Sequence, residues 1–369
     1  MGDDVVRDLV ALNMTLRFGV ADYERLVAAL GSHEAVRGAS ARDLRSHGGL
    51  GPKLAAEVAR LQRSDEPDEE LAQAAERGVA VVPFTHPDYP KALRRIHDPP
   101  LVLYVEGGLE PADAVALAVV GTRRATHYGR TQAARLAAEL ATRGVTIVSG
   151  FARGIDTEAH RAALDAGGRT LAVLGSGLAA LYPPENAPLA EEVVKDGALV
   201  SEFPLHTRPL RPLFPRRNRI VSGLALGVVV VEAGWQSGAL ITADWALDQG
   251  REVFALPGRV DRAASRGCHR LVRDGATLVE TADHVLEGLG DVGATLAPPR
   301  AKAHAPPLEL AGEEATVAAA VGDEPTHIDV ITDACGLPAH TVASVLMVLE
   351  VKKAVSQLPG KLFVRTAPR

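Results

Sequence analysis

The sequence predicts an α/β protein: a doubly wound parallel sheet with a small helical domain before it and a helix-turn-helix module with a wing after it. Three observations carry this. Short apolar runs recur at 117–120, 145–149, 170–174, 198–201, 227–231, 253–256 and 276–279. Segments long enough for a crossover helix separate them, as at 131–141, 158–165 and 241–248. Continuous apolar strands alternating with helices mark a parallel sheet covered on both faces, whose ligands bind outside the carboxyl ends of the strands. Finally, residues 290–311, rich in Ala, Pro and Gly, form a linker that sets the last module apart.

In chain order, residues 1–63 read as helical, because Leu9, Leu12, Leu16, Leu26 and Leu30 recur at helical spacing and Ser40 with Asp43 suits a capping box. Residues 49–55, Gly-Leu-Gly-Pro-Lys-Leu-Ala, match the hairpin of a helix-hairpin-helix, where glycines let amides at a helix start approach a phosphate. A turn between two packed helices explains them equally well. Residues 64–70 are acidic, contain a proline and read as a linker. The core domain spans 79–289. It opens with a strand at 79–84 and a proline-punctuated connector that ends in a strand at 101–104. The last domain, 312–369, places a helix at 328–334, a turn at Gly336-Leu337-Pro338, a second helix with Val342, Val345, Leu346 and Leu349 on one face, and a wing at 355–358 and 362–364. That second helix offers only His340 and Thr341 before Lys352 and Lys353, so a packing or protein-contact role competes with duplex binding.

A chain of 369 residues, 47% hydrophobic and 23% charged, can bury a full core in two or three domains. Cys268 and Cys335 are too few for a disulfide framework or a four-cysteine metal site, which points to a reducing cytoplasm and no structural metal. Neither a signal peptide nor a membrane span is expected. The formal net charge is −6, yet residues 114–138 hold Arg123, Arg124, Arg130 and Arg135 with no acid, and residues 203–231 hold Arg208, Arg211, Arg216, Arg217 and Arg219, again with none. Two such runs in an acidic chain imply a local basic surface.

The motifs place that surface at strand ends. Gly121, Thr122 and Arg123 follow the first core strand, where a glycine exposes amides and an arginine grips a phosphate with a fork of donors. Gly150 follows the second, leading through Phe151-Ala152-Arg153-Gly154 into a helix that carries Asp156 and His160. Ser149, His160 and Asp156 invite a hydrolase reading, which fails because no Gly-x-Ser-x-Gly elbow surrounds the serine. Residues 175–180 match Gly-x-Gly-x-x-Ala, but Pro183 and Pro184 forbid a long helix after them, so a close-packed turn is preferred to a dinucleotide site. The richest stretch is 211–220. Arg211, Arg217 and Asn218 surround Phe214, arginines to clamp phosphates and an aromatic face for an unstacked base, a combination suited to single strands. A blander reading buries Phe214 and pairs Arg217 or Arg219 with Glu202 or Glu232. Ser237 and Gly238 open a helix after the fifth strand and present a hydroxyl and amides to an anion. There is no Walker A sequence, no His-Glu-x-x-His and no paired-cysteine spacing, so neither a catalytic residue nor a cofactor is expected.

Several of these stretches, VVGTRR at 119–124, SGFARGIDTEAH at 149–160, LYPPEN at 181–186, FPRRNRIVSGLA at 214–225, SGALITA at 237–243 and VFALPG at 253–258, resemble the bacterial DNA-processing DprA (Smf) family. The likeness covers roughly residues 80–289 and extends to the flanks, similar to the family's SAM-like or helix-hairpin-helix-like N-terminal domain and its C-terminal winged helix. It implies a Rossmann-like core that binds single-stranded DNA cooperatively and forms a homodimer. It also implies a protein that shelters incoming strands in natural transformation and loads the recombinase RecA onto strand coated by single-strand-binding protein. By the same likeness Arg123 takes the phosphate-gripping place, Phe214 the stacking place and Arg211 the basic place three residues before it, and dimerisation is expected near residues 267–271. The competing class is a Rossmann-type nucleotide-processing enzyme of phosphoribohydrolase type. Residues 257–261, Pro-Gly-Arg-Val-Asp, depart from the Pro-Gly-Gly-x-Gly-Thr stretch such an enzyme needs.

Overall fold

Alternation along one strand shows how the core is layered. In β3 (Ala116–Val120) Leu117 and Val119 face one side of the sheet, and Ala118 and Val120 face the other, all of them buried. The computed structural model describes residues 3–296, 310–322 and 324–365. The chain divides into two compact units, one ending at Pro299 and one starting at Arg300.

The first unit begins with helices α1 (Asp3–Asn13), α2 (Val20–Leu30), α3 (His33–Gly38), α4 (Ala41–Ser46), α5 (Pro52–Leu61) and α6 (Glu66–Glu76). The capping box is present at α4: Asp43 N–H donates to Ser40 Oγ at 3.2 Å and Ser40 N–H donates to Asp43 Oδ2 at 3.1 Å. Helix α6 corrects one expectation. Residues 64–70 are not a linker; Pro67 sits in the first turn, where a missing N–H costs nothing, and Glu66, Asp68 and Glu69 favour the positive end of the helix dipole. The same features that suggested a linker therefore start a helix.

Then come β1 (Val79–Pro83), α7 (Lys91–Arg94), β2 (Val102–Gly107), β3, α8 (His127–Ala141), β4 (Thr146–Ser149), α9 (Ile155–Asp165), β5 (Thr170–Val173), α10 (Ala187–Asp196) and β6 (Ala198–Ser201). The unit closes with α11 (Leu213–Gly223), β7 (Gly227–Val230), α12 (Gly238–Asp248), β8 (Glu252–Ala255), α13 (Arg266–Arg273), β9 (Thr277–Leu278), α14 (Ala282–Gly288) and α15 (Asp291–Ala294). The nine strands form one sheet in the order β1-β2-β6-β5-β4-β3-β7-β8-β9. From β6 to β9 every pairing is parallel, while β2 joins β6, and β1 joins β2, antiparallel. The winding reverses between β3 and β7, the switch point of the sheet.

Three clusters fill the two sides. Helices α8, α9 and α14 cover one face with Leu136, Leu140, Ile155 and Val285; α11, α12 and α13 cover the other with Ile220, Leu240 and Leu271. The N-terminal helices share a third cluster with β2 and α10, from Leu9 and Leu26 to Tyr104 and Val193. Polar ties reinforce it, with Asn13 Nδ2 donating to Glu202 O at 2.9 Å and Leu205 N–H donating to Glu70 Oε1 at 2.7 Å.

The second unit holds α16 (Glu313–Ala320), β10 (Thr326–His327), α17 (Ile328–Cys335), α18 (Ala339–Val351), β11 (Val355–Leu358) and β12 (Leu362–Arg365), its three strands ordered β10-β12-β11. This is a winged helix with its own core of Val317, Ile331, Val342, Leu346 and Phe363. The leading helix α16 was not foreseen. Along α17 and α18, Val330, Met347 and Val351 are exposed, and Lys352 is tied to Glu314 at 2.6 Å. Of the expected linker, residues 297–309 lie outside the described residues, and Asp291–Ala294 is a helical turn. Among the described residues no single helix is long and apolar enough to cross a membrane.

Candidate nucleic-acid interface

The site is assembled from loops at the carboxyl ends of β3, β4 and β5 and from the start of α11. Residues 121–126 leave β3 and are pinned by Glu232, just past β7. Thr122 N–H donates to the Glu232 carbonyl at 2.7 Å, and the Glu232 carboxylate accepts from Thr126 N–H at 2.8 Å and from Thr126 Oγ1 at 2.7 Å. Glycine is needed along this path: a Cβ on Gly121 would stand 2.5 Å from Ile155, and one on Gly129 2.5 Å from the Glu232 carboxylate. The loop thus presents Arg123 at a fixed place, exposed to solvent.

A pocket opens beside it, lined by Arg123, Gly150, Ala152, Arg153, Tyr182 and Phe214. The Arg123 guanidinium carbon stands 5.0 Å from the centre of the Phe214 ring, and Tyr182 lies 5.8 Å from that ring at an interplanar angle of 59°. Phe214 is neither core nor fully exposed. It rests on Gly175, where a Cβ would come within 2.6 Å of the ring, so the turn at 175–177 serves as the seat of the aromatic face. On the pocket's other wall Arg153 is hydrogen-bonded to Glu185 and to the Tyr182 hydroxyl.

Beneath the pocket lies a buried charge pair. Arg217, 3% exposed, donates to the carbonyls of Gly150 and Val173, and Asp156, 5% exposed, accepts from Ala152 N–H at 3.2 Å. Burial pushes the Asp156 carboxyl up to about 6, against the opposing pull of Arg217. Burial likewise pushes the Arg217 guanidinium down to about 10. A Cβ at Gly150 would strike both side chains, at 2.6 and 2.7 Å.

Of the ten expected contact residues, Arg123, Gly150 and Phe214 line one pocket, with Gly121 and Thr122 on the loop that carries Arg123. Arg211 is exposed, three residues before Phe214. Asn218 lies one turn after Phe214 on α11, and its Nδ2 donates to Gly238 O at 3.2 Å, which joins Asn218, Ser237 and Gly238 into a second group. Arg217 is a correction: buried under Gly150, it has no access to a strand and supports the floor instead. The expected pairing with Glu202 is met by Arg219, at 2.8 Å, and Arg216, which was not expected there, joins it at 3.0 Å. The serine–histidine–aspartate set is not a triad, since Ser149 Oγ donates to Val119 O at 2.6 Å and His160 Nδ1 meets Thr170 Oγ1 at 2.7 Å. Arg153 and Tyr182 were not singled out. Their signal was present, an arginine just after a strand-end glycine and a tyrosine before two prolines.

The residues 80–290 match the family model described as DNA recombination-mediator protein A, and residues 301–361 match the DprA winged helix domain. Protein Smf of Escherichia coli is 44% identical over 76% of this chain and 76% of its own, and the DNA processing protein DprA of Bacillus subtilis is 41% identical over 59% of this chain and 74% of its own. The X-ray structure of DprA from Streptococcus pneumoniae superposes with a TM-score of 0.67 at 32% identity, covering 78% of this chain and 98% of that one. A Helicobacter pylori DNA processing protein A structure, described for its single-stranded DNA binding mode, gives a TM-score of 0.50 at 32% identity over 55% of this chain and 92% of that one. With more than half its length under that family model, and with a wound sheet and a winged helix in the expected order, the chain belongs to the DNA recombination-mediator protein A family.

Proposed function

We propose that this protein binds single-stranded DNA in the pocket between Arg123 and Phe214 and acts as a recombination mediator. It shelters incoming or exposed strands, helps load RecA where single-strand-binding protein coats them, and works as a homodimer in the cytoplasm without catalysing a reaction. One observation carries the reading: a guanidinium and an aromatic ring 5.0 Å apart, at the carboxyl ends of parallel strands of a wound sheet, over a glycine floor. An arginine fork fits a phosphate, and a half-exposed ring fits a base that has left its stack. A stacked duplex has no free base face to offer, so the pairing selects unpaired strand. The relative described for its single-stranded DNA binding mode supports the same reading.

The test is a competition of single-stranded against double-stranded DNA for the parent protein, Arg123→Ala and Phe214→Ala. Arg123→Ala is expected to weaken binding to all sequences alike, and Phe214→Ala to cost about 1 to 3 kcal/mol of stacking. Parent-like binding by both variants would remove the pocket from the reading. Incubation with nucleoside monophosphates is expected to release no free base.

A further inference from the structure

The far wall of the pocket repeats the near wall in reverse order. The Arg123 guanidinium carbon stands 5.0 Å from the centre of the Phe214 ring, Phe214 lies 5.8 Å from Tyr182, and the Arg153 guanidinium carbon stands 5.5 Å from the centre of the Tyr182 ring. The series is guanidinium, ring, ring, guanidinium, with both arginines exposed. The loops that carry the two arginines touch, since a Cβ on Gly154 would stand 2.4 Å from the Thr122 carbonyl oxygen and 2.9 Å from the Arg123 backbone.

The two ends differ in what holds the arginine. Arg123 lies over Phe214, whereas Arg153 is gripped as a fork by a carboxylate: Nε donates to Glu185 Oε1, and Nη2 donates to Glu185 Oε2 at 3.1 Å. Glu185 is delivered there by its neighbour. Asn186 is buried, and its Nδ2 donates to Phe151 O at 3.3 Å and to Thr157 Oγ1 at 2.9 Å, which ties the segment 181–186 to the loop that carries Arg153. The hydrogen bond from Arg153 holds the Glu185 carboxyl below the usual carboxylate range, so the pair is fully charged at neutral pH. Both side chains are nevertheless 50% exposed, and an ion pair so open to water is weak.

A carboxylate in a guanidinium fork offers two oxygens in the arrangement that a phosphate offers. We propose that Glu185 is an internal stand-in for phosphate: it occupies the second arginine of the pocket in the free protein and yields it to a neighbouring phosphate when a strand is held at Arg123 and Phe214. This latch rests on the proposed function and adds its regulation. It keeps one of the two guanidinium groups neutralised until a strand reaches across the pocket.

The experiment uses the full chain and an oligothymidylate of about sixteen nucleotides, the upper end of site sizes for compact single-strand sites. Glu185→Gln removes the competing charge and should tighten binding about five-fold at 50 mM salt, the most that an exposed ion pair can withhold. The freed arginine collects counterions that the strand releases, so the salt slope should steepen by about 0.7 and the gain should shrink to about two-fold at 200 mM. Arg153→Ala should bind more weakly than the parent, and in that background Glu185→Gln should change nothing. This non-additivity separates a latch from long-range repulsion. An equal gain from Glu185→Gln with and without Arg153 overturns the latch, because the acid then repels the strand from a distance. Weaker binding by Glu185→Gln, with its denaturant midpoint lowered or unchanged, overturns it too, because the pair then supports the pocket. Glu185→Ala should reproduce the gain of Glu185→Gln, and a loss there has the same meaning. If the parent does not bind the oligonucleotide, the proposed function fails and the latch falls with it; if the parent binds and Arg153→Ala binds equally well, the latch alone fails.

Discussion

Asp156 shows how much a single buried group can control. Its carboxyl titrates at about 6 because burial penalises the charged form more than Arg217 favours it. Two consequences follow, with signs that can be checked. For stability, the folded value lies above the unfolded value of roughly 3.9. Its contribution is therefore fully present below pH 4 and is lost as the pH rises through about 6. For binding, the carboxylate acts on Arg123 from below, and a phosphate at Arg123 would meet a negative charge above pH 6 and a neutral carboxyl beneath it. Single-strand affinity is expected to fall as the pH rises from 5.5 to 7.5, and Asp156→Asn should flatten that profile; a profile equally steep in the variant rejects the role. This level was also where the sequence was hardest to read. A count of arginines cannot tell Arg123, exposed, from Arg217, 3% exposed, or from Arg219, closed onto Glu202 seventeen residues earlier. Burial and ion pairing are set by tertiary contacts, so a basic run overstates the charge left at the surface.

Elements were far more legible, because period and length survive in the sequence. β6 falls at 198–201 as expected and the other core strands within a residue or two, except β2, which runs three residues past the expected end; Ser40 and Asp43 form their box. The misreading of residues 64–70 has a physical cause. Residues 66–76 combine a proline with acids, which signal either a linker or the first turn of a helix, and only packing decides. Loops matter most for the site, and the loop at 121–126 is held by one side chain. Glu232→Ala removes the acceptor of Thr126 N–H and of its hydroxyl, and leaves a buried space against Gly129. A destabilisation of about 1.5 to 3 kcal/mol, the net worth of a hydrogen bond to a charged group, is expected in denaturant unfolding. A weaker hold on single strands should accompany it, because Arg123 loses its fixed place. Glu232→Gln keeps one acceptor and should recover part of both. Full strand affinity in the destabilised Glu232→Ala protein would show that the loop is ordered without it.

At the scale of the whole molecule, charge and domain division make the last two expectations. Every residue of the pocket lies in the first compact unit, and the winged helix has a separate core. A chain ending at Leu296 should therefore keep the affinity of the parent for a short single strand, and a large loss would make the winged helix part of the grip. The net charge of −6 repels a polyanion at long range, so attraction has to come from the rim where Arg123, Arg124, Arg208 and Arg211 are exposed. Counterion release then fixes the salt dependence. With about four phosphate contacts and a slope near 0.7 per contact, affinity should fall roughly fifty-fold between 50 and 200 mM salt. Removing one contact with Arg123→Ala should lower the slope by about 0.7, leaving a fall of roughly twenty-fold, whereas Phe214→Ala should lower affinity at every salt concentration and keep the slope of the parent. The two variants thus separate charge from stacking in one measurement. An Arg123→Ala protein with the parent's slope would mean that its guanidinium, for all its position over Phe214, meets no phosphate.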